Sequence, residues 1–327
     1  MPNSTSISTV IEGVWNIGTP PVMGTHSTQT IREKWRDGAC PVELAVQSCY
    51  FTGQPKKAEQ VKNRIFTPSS CALTEFDAEA FMESIRGRNL IFLGDSLSTQ
   101  HFQIIVCSLH GSVTAKYNVQ WNRLIQNYGS HNCLWGDSFC HIDTAEVYYP
   151  DYDARIVLKQ LKRVTELTTT YLAQQATTSD IVVMNLGAHY NGPQHFKEYE
   201  QELKLFTRAY SNSEVKPLIL WRESAPQHFT NGLNGYYNGP AHLCGPIRNL
   251  ENFHNLDHRN RIAEKVLSAA DIPILRIAAP TVLQFDAHVG DSKRQDHLYD
   301  CQHYCMPSGA LYHWRDLLFN AILAMQT

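Results

Sequence analysis

Three side chains in two distant segments have the chemistry of a serine nucleophile and its activating groups. Ser96 follows the apolar run 90–93 after a Gly-Asp pair, and Asp300 and His303 lie three residues apart near the other end of the chain. A serine hydroxyl becomes a good nucleophile when a histidine takes its proton, and a carboxylate holds that histidine in the required tautomer. Because such triads are defined by geometry and not by chain order, the pattern predicts a hydrolase or an acyltransferase.

The residues around Ser96 predict a strand-to-helix turn. An apolar strand-like run precedes the serine, and apolar residues at helical spacing follow it. A helix that begins at Ser96 would favour a developing oxyanion at its N-terminus. A Gly-Asp-Ser sequence alone is weak evidence, since many surface turns have the same residues.

The wider pattern alternates short apolar strands with amphipathic helices, which predicts an α/β fold with a mostly parallel sheet covered on both sides. Sites in such sheets lie at the carboxyl ends of the strands. Ser96, Asn185 and Arg222 fall at such ends. The predicted core strands are 89–93, 181–186, 217–221 and 273–277, and the predicted helices include the segments 199–210, 258–270 and 311–322.

Length and composition are consistent with an enzyme, and the length allows one large α/β domain or two smaller ones. The chain has 327 residues, 43% hydrophobic content and a net charge of −3 with no basic run. We therefore expect one catalytic domain over 1–327, in which 1–80 form a minor lobe, 81–327 form the α/β/α core and 230–248 form a long loop. Nothing in this charge pattern indicates nucleic acid or an anionic membrane as a partner.

Five ordered blocks extend the pattern beyond the triad. They are Cys71-Ala-Leu-Thr-Glu-Phe-Asp77, Arg86-Gly-Arg-Asn-Leu-Ile-Phe-Leu-Gly-Asp-Ser96, Asn185-Leu-Gly187, Trp221-Arg222 with Pro226-Gln-His228-Phe229, and Asp300-Cys-Gln-His-Tyr-Cys-Met-Pro307. Together they resemble the plant trichome-birefringence-like polysaccharide O-acetyltransferases, which are members of the wider PC-esterase group. The blocks occur in the family order from about Cys40 to the C-terminus.

The resemblance implies an SGNH-type (GDSL-like) α/β/α fold, and the weak periodicity of residues 1–80 predicts that they form a smaller N-terminal lobe. The resemblance also implies acetyl transfer onto polysaccharide through an acetyl-serine intermediate, with Ser96 as the nucleophile, His303 as the base and Asp300 as its partner. The implied co-substrate is an acetyl donor, either acetyl-CoA or an acetylated intermediate, and no bound cofactor or metal is expected. The implied partner is a polysaccharide or oligosaccharide acceptor, and we expect a monomer.

Further residues are candidates for the oxyanion hole or for substrate binding. In SGNH enzymes an asparagine at such a strand end donates to the oxyanion, which assigns this role to Asn185 unless it merely caps a turn. Each of the remaining candidates has a structural alternative, such as a hydrogen-bonded histidine or an ion-paired arginine. The remaining candidates are Gly94, Asp95, Gly187, His189, Arg222 and His228.

The chain departs from the plant pattern at three places, and we expect the changes to lie at the rim of the site. They leave the acceptor open, so a xylan substrate does not follow. The departures are Thr99, Gln100 and His101, then Ala188, His189 and Tyr190, then Tyr312 and His313.

Loop-like segments also carry tyrosines that could stack on sugar faces. They are Tyr148, Tyr149, Tyr152, Tyr236 and Tyr237.

Nine cysteines predict disulfides and an oxidising compartment, since their spacings give no four-ligand zinc site. Buried free thiols are the alternative. By resemblance the bridges are Cys40–Cys107, Cys49–Cys305 and Cys244–Cys301, with Cys133–Cys140 as a local loop and Cys71 left over. Two of these bridges flank Asp300 and His303, and would hold the loop that carries the base.

The cysteines predict the lumen of the secretory pathway, such as the Golgi, or the extracellular space. No secretory leader or apolar run long enough to span a membrane is visible in the sequence. Three functions remain open at this point. They are O-acetyltransfer, hydrolysis of carbohydrate acetyl esters by the same triad, and carbohydrate binding by an inactive site, against which the intact triad argues.

Overall fold

The computed structural model describes residues 13–17, 49, 54–69, 71–123, 140–164, 172, 174, 176–241, 243–247, 257–291 and 299–326. Its centre is a seven-stranded sheet with the order β4-β5-β6-β3-β7-β8-β9. The strands β6, β3, β7, β8 and β9 are parallel, and β4 and β5 extend the sheet in antiparallel fashion. The sheet strands are β3 (Asn89–Gly94), β4 (Lys116–Arg123), β5 (Cys140–Tyr149), β6 (Ala154–Gln160), β7 (Ile181–Asn185), β8 (Leu218–Arg222) and β9 (Ile274–Leu275).

Helices cover both faces of this sheet. One face packs on α2 (Ala78–Ser84), α3 (Ser96–Leu109) and α7 (Gly309–Ala324), and the other packs on α4 (Pro193–Ser211) and α5 (His258–Ser268). Strand β3 explains the arrangement, because Leu90 and Phe92 enter the first core while Ile91 and Leu93 enter the second. Alternate side chains of a strand point to opposite faces, so a continuous apolar run is buried on both sides. The predicted three-layer α/β/α class is confirmed.

Smaller elements complete the described chain. Two antiparallel pairs lie outside the central sheet, and one of them carries the predicted base. The second pair receives Gln54, whose Nε2 donates to the carbonyl oxygens of Val289 and Asp291 at 2.9 Å. The division of the chain into a minor lobe and a core remains a prediction. The smaller elements are β1 (Gly13–Ile17), α1 (Pro55–Lys62), β2 (Arg64–Pro68), α6 (Ala278–Thr281), β10 (His288–Asp291) and β11 (Tyr299–Tyr304).

Two of the expected disulfides are present. Cys49 is bonded to Cys305 and Cys244 to Cys301, with Cα–Cα distances of 5.2 and 5.3 Å. Cys107 is also disulfide-bonded, and its expected partner Cys40 lies outside the described residues, as does Cys133. Cys71 is free and exposed, as expected. No helix among the described residues is both long and apolar enough to cross a membrane.

Candidate active site

The fold brings Ser96, His303 and Asp300 into one hydrogen-bonded line. The Ser96 Oγ lies 2.6 Å from His303 Nε2, and His303 Nδ1 lies 2.7 Å from Asp300 Oδ2. The carboxylate can only accept, so the proton of the neutral imidazole is on Nδ1 and Nε2 is free to accept the serine O–H. This is the tautomer that a general base needs.

Ser96 is the first residue of α3, and only Asp95 separates it from the last residue of β3. Asp95 caps the helix, with its Oδ1 accepting the N–H of Leu97 at 3.0 Å. The second carboxylate oxygen of Asp95 accepts the N–H of Ala188 at 3.1 Å, which ties the serine turn to the chain after β7. Within the described part of the chain the N–H of Ser96 has no acceptor. It is therefore available at the positive end of the helix.

Asp300 and His303 lie on β11, which the Cys244–Cys301 bridge holds from within the strand. The Asp300 Oδ1 accepts the N–H groups of Gln302 at 3.1 Å and of His303 at 2.9 Å. The Asp300 carboxylate is thus held by the backbone of its own strand, which fixes it in position next to the His303 imidazole.

The charges of this pair reinforce each other. Burial opposes ionisation of Asp300, but the charge and hydrogen bonds of His303 hold its pKa well below the usual range. Burial lowers the pKa of His303, but the charge of Asp300 and its hydrogen bond outweigh this and raise the pKa above the ordinary value. Among the described residues no group of three or more His, Cys, Asp or Glu side chains could hold a metal ion.

Gln100 joins α3, called here the serine helix because it begins at Ser96, to β11, which carries His303. Its Nε2 donates to the carbonyl of Tyr304 at 2.7 Å, and its Oε1 accepts the N–H of Tyr304 at 3.0 Å. The side chain is fully buried. We expected Gln100 at the rim of the site, which is wrong. A glutamine one helical turn after a candidate serine was the only signal in the sequence.

The other departures from the plant pattern are also mostly interior. All of them except His189 are buried, so the expected rim position is wrong for this set. His189 is exposed, and it interacts electrostatically with Asp95 and His303. It is therefore a candidate for contact with substrate, as predicted. The buried members are Thr99, His101, Ala188, Tyr190, Tyr312 and His313.

Gly94 and Gly187 are required by close packing. A Cβ at Gly94 would lie 1.9 Å from the carbonyl oxygen of Asn185, and one at Gly187 would lie 1.6 Å from Ser224 Oγ. The contact at Gly94 is with backbone, and at Gly187 the Ser224 Cβ would also lie at 2.8 Å, so rotation of the hydroxyl alone would not relieve it. These glycines let the ends of β3 and β7 approach their neighbours, and this packing explains them without substrate contact.

Asn185 does not point into the cleft. Its Nδ2 donates to the carbonyl of Arg222 at 2.9 Å and lies 3.4 Å from Ser224 Oγ, and the side chain is fully buried. Both amide hydrogens are thus directed at the end of β8. The expected oxyanion contact from this side chain is not formed, because the strand's alternation turns Asn185 toward the interior under α3.

Arg222 is likewise turned inward. Its guanidinium lies 4.6 Å from the centroid of the Trp314 ring and is fully buried. Burial lowers its pKa to about 10, although the charge of Asp95 opposes the shift. No nitrogen of this guanidinium has a hydrogen-bond partner within the described residues. Contact with a sugar and a structural ion pair were both open for Arg222, and this burial argues against contact with a sugar.

His228 is buried next to β11, the strand that carries Asp300 and His303, and does not lie in the cleft. Its Nε2 lies 2.8 Å from the carbonyl of Val282, and its Nδ1 lies 2.6 Å from Nε2 of His288. The Nδ1 of His288 in turn lies 3.1 Å from the carbonyl of His303. Burial lowers the pKa of His228 to about 4. His228 therefore has the surroundings of a hydrogen-bonded structural histidine, which was the alternative to contact with the acceptor. The His228–His288 pair contacts the backbone of β11 at His303.

The tyrosines expected in loops have different surroundings. Tyr148 and Tyr149 lie in β5, and Tyr152 lies in a short 3-10 turn after it. Tyr236 is buried and its hydroxyl donates to Asp257. Tyr237 alone of these five is exposed, with 47% of its surface accessible.

Comparisons with known proteins agree with the chemistry of this site. Residues 73–216 match the model of the PC-Esterase family, described as a GDSL/SGNH-like acyl-esterase family found in Pmr5 and Cas1p. The protein trichome birefringence of Arabidopsis thaliana is 23% identical over 328 residues, covering 88% of this chain and 54% of the relative. Trichome birefringence-like 4 from the same plant is 25% identical over 332 residues, with 88% and 71% covered. The chain thus spans about half to 71% of these relatives.

One solved structure of related shape is described as "Peptidoglycan O-acetylesterase in action, 5 min". It is 11% identical, has a TM-score of 0.41, and the similarity covers 78% of this chain and 99% of that chain.

Proposed function

We propose that this chain, whose residues 73–216 match the PC-Esterase family model, is a serine-dependent O-acetyltransferase that places acetyl groups on polysaccharide hydroxyls. The observation that carries the proposal is the line of hydrogen bonds from Ser96 through His303 to Asp300, at 2.6 and 2.7 Å. The residue types, their distances and the tautomer are those that acyl transfer by a serine requires.

The proposed reaction has two displacements. His303 takes the proton of Ser96 as its oxygen attacks the carbonyl carbon of an acetyl donor, and the imidazolium then protonates the leaving group. The N–H of Ser96 at the start of α3 donates to the oxyanion that forms in this step. In the second displacement His303 takes a proton from a polysaccharide hydroxyl, whose oxygen attacks the acetyl-serine. Collapse of this intermediate breaks the ester bond to Ser96 and returns the proton to its oxygen.

Hydrolysis is the second candidate, and the description of the matched family as acyl-esterases favours it. The two reactions share every step up to acetyl-Ser96 and differ only in whether water or a sugar hydroxyl attacks. The disulfides suit an oxidising compartment. We therefore propose the secretory lumen, such as the Golgi, or the extracellular space as the location.

One assay separates the candidates. The enzyme is incubated with 4-nitrophenyl acetate and a neutral oligosaccharide, and free acetate and acetylated sugar are quantified by mass spectrometry. Transfer predicts acetylated sugar, and hydrolysis predicts acetate alone. Ser96→Ala should abolish both products while the melting temperature is retained, because the small side chain fits the same site. Full activity of this variant would refute the proposed nucleophile.

A further inference from the structure

We propose that the segment 229–241, called here the Tyr237 loop, binds one pyranose ring of a neutral polysaccharide against the ring of Tyr237. This inference rests on the proposed function for the location of the reacting hydroxyl. It adds the chemical class of the acceptor and the surface that receives it.

Gln227 connects the Tyr237 loop to β11, the strand that carries Asp300 and His303. The N–H of Tyr237 donates to Gln227 Oε1 at 3.1 Å. The Nε2 of Gln227 donates to Gln302 Oε1 at 2.6 Å and to the carbonyl of Ala188 at 3.1 Å. Gln302 directly precedes His303, and the N–H of Ala188 bonds to the aspartate before Ser96. Gln227 thus joins the Tyr237 loop to both halves of the triad site.

The loop is held in one shape by its own contacts. The Nδ2 of Asn231 lies between 2.8 and 3.3 Å from the carbonyl oxygens at positions 238, 239 and 240. A Cβ at Gly232 would lie 1.5 Å from the carbonyl oxygen of Tyr236, so only glycine permits this closure. The Phe229 ring supports that of Tyr237 edge-on at 5.2 Å. A preordered ring loses little conformational entropy when a ligand binds.

Exposure distinguishes Tyr237 from other aromatic residues. It is 47% accessible and is the single aromatic among the exposed large apolar side chains of the described residues. Leu233 in the same loop is 79% accessible. Tyr236, which precedes Tyr237, is only 8% accessible, and the Arg259 guanidinium covers its ring at 4.4 Å from the ring centroid. The loop therefore presents one aromatic face to solvent.

The chemistry of the loop fits a neutral sugar. Residues 229–241 contain no Asp, Glu, Lys, Arg or His, while they contain one threonine and three asparagines. A ligand with ionised groups would find no opposite charge in this segment. A pyranose has an apolar C–H face that packs on a tyrosine ring, and hydroxyls that bond to amides and backbone groups.

The test measures binding separately from catalysis. The Ser96→Ala protein is titrated by calorimetry with neutral β-1,4-linked hexasaccharides of xylose, glucose and mannose, and with hexagalacturonate as the charged probe. Tyr237→Ala in this background should weaken binding of the neutral sugars by about tenfold, whereas Tyr237→Phe should stay within about twofold. Tyr148→Ala is the matched control and should bind like its parent. Tyr148 pairs with Arg155, which pairs with Asn89 at the opposite end of β3 from Ser96.

The active enzyme supplies a second readout. In the otherwise native chain, Tyr237→Ala should raise KM for an acetylated neutral oligosaccharide about tenfold more than KM for 4-nitrophenyl acetate, which has no sugar ring. Equal effects on both esters would overturn the proposal, and so would unchanged binding in Tyr237→Ala or tighter binding of hexagalacturonate.

The two proposals fail in different ways. If the protein cleaves 4-nitrophenyl acetate through Ser96 but binds no sugar, the proposed sugar binding by the Tyr237 loop is overturned and the serine chemistry stands. If the protein binds sugar through Tyr237 but forms neither acetate nor acetylated sugar, the proposed function is overturned and sugar binding by the Tyr237 loop is supported.

Discussion

Gln100 and Tyr304 exchange two hydrogen bonds, one in each direction, between a buried amide side chain and a strand backbone. The first residue lies one turn into the serine helix and the second directly follows His303. The pair therefore sets the distance between the two segments that must meet for proton transfer.

We predict that Gln100→Ala lowers kcat by about 10–100-fold, because small displacements of a base have such effects. The free energy of unfolding should also fall by roughly 1–3 kcal/mol, since two backbone groups lose their partners. Asn320→Ala is the control. Asn320 exchanges the same two bonds with the backbone of Thr74, at 2.9 and 2.8 Å. The Asn320→Ala variant should lose stability and keep its kcat. An unchanged kcat in Gln100→Ala would contradict the positioning role of Gln100.

Asn185→Ala should destabilise the protein while leaving turnover nearly unchanged. The substitution leaves the buried carbonyl of Arg222 without the Asn185 amide, which costs roughly 1–3 kcal/mol. Loss of an oxyanion donor would instead reduce kcat by about 10²–10³. Urea unfolding and 4-nitrophenyl acetate kinetics on this variant distinguish the two patterns. A large loss of kcat at unchanged stability would restore Asn185 to the oxyanion hole.

Removing the Cys244–Cys301 disulfide should reduce both stability and activity. Cys301 lies between Asp300 and His303 in sequence, and the bond ties their strand to the chain at Cys244. We expect Cys244→Ala with Cys301→Ala to lower the free energy of unfolding by about 2–5 kcal/mol. We also expect a lower kcat below the new melting point. Cys71→Ser, at the exposed free thiol, should change neither quantity.

The pH profile should report the proton of His303. The base is active when neutral, so kcat/KM should rise with pH and level off above the pKa of the free enzyme. Because Asp300 raises the pKa of His303 above its ordinary value of 6.5, the inflection should lie above pH 6.5. Asp300→Asn should move the inflection down and cut kcat by about 10⁴. A profile that is flat from pH 5 to 9 in rate-limiting chemistry would exclude His303 as the base.

The central strands could be predicted from the sequence because both faces of each are buried. Such strands have continuous apolar runs, and the predicted limits at Asn89, Ile181 and Pro217 agree with the structure to within one residue. The strands β4, β5 and β6 were not predicted. In β6 and in residues 144–149 of β5, buried side chains alternate with half-buried or exposed ones. Mixed residues of this kind form a strand only when a partner edge is present.

The amino-acid sequence by itself determined which residue types can carry out acyl transfer, since nucleophile, base and carboxylate are recognisable as a set. The two cysteine pairs around the base followed from the family resemblance, and the structure confirms them. Tertiary structure decided which polar residues at the strand ends reach the cleft. Asn185 and Arg222 share the sheet face of Val183 and Leu220, which α3 and α7 cover, so their side chains are interior. The direction of a side chain at a strand end depends on which face is covered, and that is settled only by packing.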